Sequence, residues 1–233
     1  MISVCIPTYN GQKYIKQQLE SILIQLSQED EIIISDDSSS DDTLKIIKAF
    51  NDSRITILEN NKFHSPIYNL ENALKNAKGD YIFLSDQDDI WKKDKVKIII
   101  DNLQHSNLVV HDAEIIDENN NLINESFYII NKTHPGIIHN LIKNGFIGCC
   151  MAFNRKVLDV CLPFPKGIPM HDSWIGIKTY CTVKNVNFIP DRLIEYRRHG
   201  NNASVSGEKS RRPLFQKLKD RMIIINSVIK SNR

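Results

Sequence analysis

Three carboxylates crowd a seven-residue stretch, "SDQDDIW" (residues 85–91), that follows directly on the apolar run "YIFL" (81–84). Asp86, Asp88 and Asp89 are therefore expected at the end of a buried strand. Like charges about 4 Å apart repel by about 4 kcal/mol at an effective dielectric near 20. A divalent cation among them relieves that repulsion, and Mg²⁺ or Mn²⁺ takes its oxygen ligands from one or two carboxylates, from phosphates and from water. That is the pattern of a nucleotide-diphosphate site. A D-x-D tripeptide is also a common solvated turn, and alone it does not separate the two.

Three further segments carry residues of the same kind. In "SDDSSSDDT" (35–43), Asp36 or Asp37 can accept hydrogen bonds from a nucleobase N–H or a ribose hydroxyl. The same composition makes a serine-rich turn and a helix cap. "MHDSW" (170–174) puts Asp172 at an expected helix start, as a general base toward an attacking hydroxyl or as an N-cap. His199, in "YRRHGNN" (196–202), can complete a metal shell or lie on the surface. Trp91 and Trp174 border these segments, where an indole face either stacks on a sugar ring or packs in the core. Two acidic motifs, each after a strand, are more specific together than either is alone.

The elements that must bring these residues together alternate over the first hundred positions. Residues 2–6 read as a strand ending at Pro7, followed by a helix with Ile15, Leu19, Ile22, Leu23 and Leu26 on one face. A second strand is expected at 31–35, and Asp41 or Asp42 then caps a helix carrying Leu44, Ile46, Ile47 and Phe50. Residues 54–58 read as a third strand, and Pro66 opens a helix whose expected stop is Gly79. This order predicts an α/β fold with a mostly parallel central sheet and helices on both faces. In open α/β sheets ligands bind beyond the carboxyl ends of the strands, so "PTYN" (7–10), "DDSSSDD" (36–42) and "SDQDD" (85–89) should share one cleft. Beyond residue 105 the alternation is less regular. Strands are expected at 108–117 and 186–189, a glycine-punctuated strand or loop at 145–155, a helix at 171–181 and a polar loop at 196–202.

The 233 residues, 41% hydrophobic and 25% charged, suit one globular domain with at most a small appendage. A net charge of +2 gives no argument for a nucleic-acid partner. No run approaches the ~18–20 apolar residues of a membrane span, and no basic-then-apolar leader opens the chain, so a cytoplasmic location is expected. The five cysteines show no C-x-x-C spacing and are odd in number, which points to reduced, mostly buried thiols rather than a zinc site or disulfide framework. From residue 211 the chain reads as a basic helix with Leu214, Leu218, Met222, Ile225 and Ile229 roughly on one stripe. Such a helix can lie on an anionic membrane surface, pack on its own domain or bind a second subunit.

Six segments, "SVCIPTYNGQKYI", "IIISDDSSSDDT", "GDYIFLSDQDDIW", "GCCMAFNR", "HDSWIG" and "YRRHGNN", occur in an order that makes the sequence resemble the family 2 glycosyltransferases. These are inverting enzymes of the GT-A (nucleotide-diphospho-sugar transferase) fold, and the resemblance covers nearly the whole chain. The "GDYIFLSDQDDIW" form looks most like the bacterial branch that builds O-antigen and capsular polysaccharide, including rhamnosyltransferase-type proteins. The resemblance implies a nucleotide-diphosphate sugar donor of UDP-hexose or dTDP-rhamnose type, a saccharide acceptor that is lipid-linked, and Mn²⁺ or Mg²⁺. It also implies peripheral association with the anionic inner membrane.

Residue by residue, the resemblance places Pro7, Thr8, Tyr9 and Asn10 around the nucleotide, with Asp36 or, preferably, Asp37 on the base. Asp86, Gln87 and Gly148 join the donor side. Asp88 is the principal metal ligand, with Asp86 and His199. Asp172 is the catalytic base, and His171, where relatives often have Glu, is grouped with Trp91 and Trp174 toward the acceptor. Ser65 stands where relatives often have Gly. Residues 1–105 would then form the donor half, 106–205 the acceptor and catalytic half, and 206–233 the basic helix. A sugar nucleotidyltransferase is the competing enzyme, but it would carry a Gly-rich basic loop where "PTYNGQKY" has only Gly11 and Lys13. A non-catalytic nucleotide-binding homologue would need neither the base nor the metal ligands.

Overall fold

The computed structural model describes residues 1–200 and 213–231; Asn201 and Asn202 of the expected polar loop, and Arg211 and Arg212 of the basic tail, lie outside the described residues. The first half alternates as its pattern requires: β1 (Ile2–Thr8), α1 (Ile15–Leu23), β2 (Glu31–Asp36), α2 (Thr43–Ala49), β3 (Ile55–Leu58), α3 (Pro66–Asn76) and β4 (Tyr81–Leu84). These four strands lie in the spatial order β3-β2-β1-β4, all parallel. Every β1 residue except Pro7 is buried, as it must be when helices cover both faces of a sheet. Thr8 lies beside Asp36, and Cys5 beside Leu84, so the chain leaves all four strands along one edge.

Local chemistry explains the boundaries. Buried Ile15, Leu19 and Ile22 recur at helical spacing on α1, while Leu26 stays buried beyond the helix end. Pro66 is the first residue of α3, where its missing N–H costs nothing. Of the two candidate caps for α2, the side chain that bonds is Asp41, which accepts from the Thr43 N–H (3.0 Å) and hydroxyl (2.5 Å). Gly79 is not the stop of α3, which ends at Asn76. It is small because the N-terminal backbone crosses it: a Cβ there would lie 2.7 Å from the Ser3 nitrogen.

The second half holds β5 (Ile90–Trp91), α4 (Lys95–Leu103), β6 (Leu108–Ile116), β7 (Leu122–Asn124), α5 (Phe127–Asn131) and α6 (Ile137–Ile142). A 3-10 turn (Gly148–Cys150) leads into β8 (Met151–Asn154), followed by α7 (Arg155–Cys161), α8 (His171–Cys181), β9 (Val186–Arg197) and α9 (Leu214–Ser231). The sheet continues β4-β8-β6-β9-β5, with β7 on β6. It is here that "mostly parallel" gives way to a mixed sheet. β8 runs antiparallel to both β4 and β6, and β5 antiparallel to β9, while β6 and β9 are parallel.

Two consequences position the cleft. Because β8 is reversed, it enters the sheet at the edge where β4 leaves it, which sets the Gly148–Cys150 turn beside Ser85 and Asp86. β9 is also far longer than the expected strand at 186–189. Its ladder with β6 skips from Ile189 to Arg192, so Pro190, which has no N–H to give, falls in the irregularity. Tyr196 and Arg197, expected in a loop, therefore belong to the strand. β9 thus delivers His199 to the same edge as the acidic stretch.

Candidate active site

On one side of the cleft, the loops after β1 and β2 are sewn together by side chains. Asp36 is fully buried and spends its carboxylate inside the protein: Oδ2 accepts from the Thr8 (2.8 Å) and Ser39 (2.6 Å) hydroxyls, and Oδ1 from the Ser39 N–H (2.8 Å). Asp36 and Thr8 therefore build the pocket rather than line it. Asp37 accepts from the N–H groups of Phe63 (2.6 Å) and Ser65 (3.3 Å), which ties the loop after β3 to the cleft rim. Asn10, at φ 49°, accepts from the Ser40 N–H at 2.9 Å. Pro7 is half-buried, whereas Tyr9 is 58% exposed and offers an open face. Gln87, expected on the donor side, accepts from the Tyr9 N–H (3.0 Å) and donates to the Tyr9 carbonyl (3.1 Å). It brackets the first loop to the acidic stretch.

That stretch crosses from β4 in the sheet centre to β5 at the far edge. The α1 helix holds both ends, with Gln18 donating to the Ser85 hydroxyl (2.5 Å) and the Trp91 N–H donating to Ser21 Oγ (3.0 Å). Asp88 Oδ2 and His199 Nε2 are 2.8 Å apart. Asp89, the third carboxylate of the stretch, turns inward. It is buried, accepts from the Arg197 N–H at 3.0 Å through Oδ1, and leaves buried Oδ2 without a hydrogen bond. The potential ligand atoms of Asp86, Asp89 and Cys149 all lie within 4.8 Å of one another. Burial, reinforced by the Asp88 charge, raises the Asp86 carboxyl to about 7 and that of Asp89 well above its ordinary value.

A carboxylate cluster that cannot ionise fully by itself, with an orphaned buried oxygen and an imidazole at its rim, fits a hard divalent cation such as Mn²⁺ or Mg²⁺. Asp88, Asp86 and His199 were the sequence candidates for the metal; Cys149 joins them through the reversed entry of β8, and Asp89 is held among them by the Arg197 N–H of β9.

Behind His199 stands a support with no evident motif. The Tyr14 ring stacks on the imidazole at 5.0 Å between centroids, and the Arg197 guanidinium lies 4.7 Å from the same ring. Arg197, buried, donates to the carbonyls of Asp88 (2.8 Å) and Asp117 (3.3 Å), to Gln17 Oε1 (3.0 Å) and to the Asn120 side chain. The Tyr in "GQKYI" and the first Arg in "YRRHG" were the available signals, but neither type at such a spacing announces a scaffold.

Asp172 occupies the first turn of α8. Its Oδ1 accepts from the Ser173 N–H (2.5 Å) and its Oδ2 from the Asn144 amide (3.4 Å). Burial raises its carboxyl above the usual range, and its charge reaches Asp86, so the two lie in one electrostatic neighbourhood. His171 is nearly buried; desolvation lowers the proton affinity of its ring, and its Nδ1 is unpartnered. A Cβ on Gly148 would lie 2.6 Å from His171 Nε2, so only glycine lets the turn and this ring pack together.

The two tryptophans correct the expectation of an acceptor wall. Trp91 is 3% exposed and packs on Phe83 (5.6 Å between centroids); Trp174 is 1% exposed and donates to the Cys161 carbonyl (2.9 Å). Both indoles are core, and neither offers a face to a sugar.

The family model described as "Glycosyl transferase family 2" matches residues 3–162. The chain is 32% identical over 221 residues to the dTDP-rhamnosyl transferase RfbG of Shigella flexneri, covering 84% of this chain and 72% of that one. It is 32% identical over 195 residues to WfgD of Escherichia coli, a UDP-Glc:alpha-D-GlcNAc-diphosphoundecaprenol beta-1,3-glucosyltransferase, covering 80% and 73%. Among solved structures, that of S. aureus TarS 1-349 in complex with UDP superposes with a TM-score of 0.73 at 19% identity; the match covers 98% of this chain and spans 65% of that one. Glucosyl-3-phosphoglycerate synthase from Mycobacterium tuberculosis, in complex with Mn²⁺, UDP and glucosyl-3-phosphoglycerate, gives 0.60 at 18% identity, covering 99% and 79%. At these identities the structural likeness establishes a shared fold, the GT-A one.

Proposed function

The chain belongs to glycosyl transferase family 2, and on that premise we propose that it moves a sugar, with inversion, from a nucleotide-diphosphate donor to a hydroxyl of a saccharide acceptor in bacterial surface-polysaccharide assembly. The observation that carries the reading is the meeting, at one sheet edge, of an acidic cluster fit for a cation–diphosphate and a buried carboxylate with raised proton affinity, Asp172. A sugar nucleotidyltransferase has no need of that second carboxylate. The two named relatives transfer rhamnosyl and glucosyl groups, which supports a donor of dTDP-rhamnose or UDP-hexose type. WfgD acts on a diphosphoundecaprenol-linked sugar, which favours a lipid-linked acceptor and a peripheral site of action at the cytoplasmic face of the membrane. No helix among the described residues is long and apolar enough to cross a membrane.

The roles follow from position. Tyr9, Asn10 and Asp37, on the β1 and β2 loops, receive the nucleoside, while Asp36 and Thr8 hold those loops rigid. Asp88, with Asp86, Asp89 and His199 around it, would hold Mn²⁺ or Mg²⁺, which when bound neutralises charge developing on the departing diphosphate. Asp172 removes the proton from the acceptor hydroxyl as its oxygen attacks the anomeric carbon opposite the nucleotide. One bond forms as the other breaks, so the configuration inverts. Gly148 serves the donor sugar, and His171, packed against it, the acceptor side beside Asp172. Residues 1–105 serve the donor and 106–205 the acceptor and the chemistry.

Asp172→Asn tests the assignment. The shape is preserved and the base removed, so sugar transfer should fall by about 10²–10⁴-fold, while UDP still stabilises the protein in a thermal-shift assay as it does the wild type. Turnover at the wild-type rate would remove Asp172 from the mechanism.

A further inference from the structure

The run "WKKDKVKI" (residues 91–98) reads as solvated lysines, but one of them turns inward. Lys95, the first residue of α4, follows Asp94 in left-handed conformation (φ 64°) and is 1% exposed. Its Nζ donates to the Cys149 carbonyl at 3.0 Å and lies 4.2 Å from the Trp91 ring centroid. No carboxylate among the described residues comes within ion-pair distance of it. Burying an ammonium without such a partner costs several kcal/mol, so the fold keeps it there for a reason other than stability.

The surroundings supply that reason. The Cys149 whose carbonyl is bound carries its thiol beside Asp86 and Asp89, and the charges of both carboxylates act on Lys95. Desolvation pulls the ammonium down to about 8, and those carboxylates work against the fall. His111, buried on β6, lies within reach of the Lys95 charge, and burial, reinforced by that charge, lowers its proton affinity well below the ordinary value. Fully ionised around a bound divalent cation, Asp86, Asp88 and Asp89 would carry three negative charges; the cation would answer two of them, and Lys95 the third. Trp91 completes the arrangement from beneath, its π face receiving the cation.

We infer that Lys95 is a positioning residue for this reaction, a built-in counter-ion beneath the acidic cluster that also ties the Gly148–Cys150 turn in place through the Cys149 carbonyl. The inference rests on the reading of the acidic cluster as the cation–diphosphate site. It separates two effects. The charge opposes a divalent cation across the cluster, and the hydrogen bond fixes the turn beside the donor sugar.

Two variants resolve them. Lys95→Met removes charge and donor at similar volume, whereas Lys95→Gln removes the charge and keeps an N–H donor. Mn²⁺ alone is titrated into each full-length protein and followed by loss of the free-ion EPR signal, with circular dichroism to verify the fold. Both variants should bind Mn²⁺ about tenfold more tightly than wild type, because a like charge has been taken from its neighbourhood. Sugar transfer should fall about 10–100-fold in Lys95→Met and less in Lys95→Gln. A merely structural lysine would weaken binding and turnover together. Wild-type protein that binds Mn²⁺, with folded variants that bind it no more tightly, overturns the role of Lys95 alone. Wild-type protein that binds no Mn²⁺ overturns the reading of the cluster and this inference with it.

Discussion

Asp172 shows how a side chain acquires chemistry from its surroundings. An aspartate in water ionises near 3.9 and is a weak base. Here burial lifts its carboxyl above that value, while the adjoining His171 and the hydrogen bonds from Ser173 and Asn144 hold the rise in check. A base works only when ionised, so protonation at low pH removes activity. Raising the folded-state value moves that loss to higher pH. The acid limb of kcat/KM against pH should therefore lie above the ordinary aspartate value of about 3.9; a limb at or below it would contradict the environment assigned to Asp172. The residue scale also separates lookalikes. Asp36 and Asp37 are sequence neighbours of the same type and both buried, yet one is consumed by Thr8 and Ser39 and the other keeps oxygens that accept one bond each.

At the scale of elements, the cleft is made by strand ends and held by cross-links between their loops. Asp36 unites the ends of β1 and β2, so Asp36→Ala strands three buried or half-buried donors at once. At ~1 kcal/mol or more for each unsatisfied group, urea denaturation should show a loss of about 3 kcal/mol. Asp37→Ala should cost less stability and instead raise the donor KM. Equal effects of the two on both quantities would refute the division of labour. The elements the sequence hid are those that break its local rules. β9 carries a proline in mid-strand, tolerated because the ladder skips there. β8 runs opposite to its neighbours, a direction set by hydrogen bonds to β4 and β6 rather than by anything in "MAFN".

At the scale of the whole molecule, α9 leaves an apolar stripe exposed among the described residues. α9 packs inward through Ile224 and Val228, while Phe215, Leu218, Met222, Ile225 and Ile229 are 40–78% exposed. The helix thus packs on its own domain, one of its three expected uses, while the stripe seen in the sequence faces away from that contact. With Lys217, Lys219, Arg221 and Lys230 on the same helix, we propose that it meets an anionic lipid surface. Vesicles containing anionic phospholipid should retain the protein on sedimentation, and Phe215→Asp with Met222→Asp should release it; retention of the variant would leave the stripe to a protein partner. The sequence by itself determined the strand–helix order of the first half, the identities of Asp37, Asp88, Asp172 and His199 as candidates, and the family, because periodicity and motif spacing are local properties of a chain. Only the tertiary structure decided that Cys149 joins the acidic cluster, that Asp89 is buried in it with one oxygen unpartnered, that Lys95 turns beneath it, that Gln87 is a bracket and that both tryptophans are core. Burial and strand direction are set by contacts between residues far apart in the chain, and no short segment contains them.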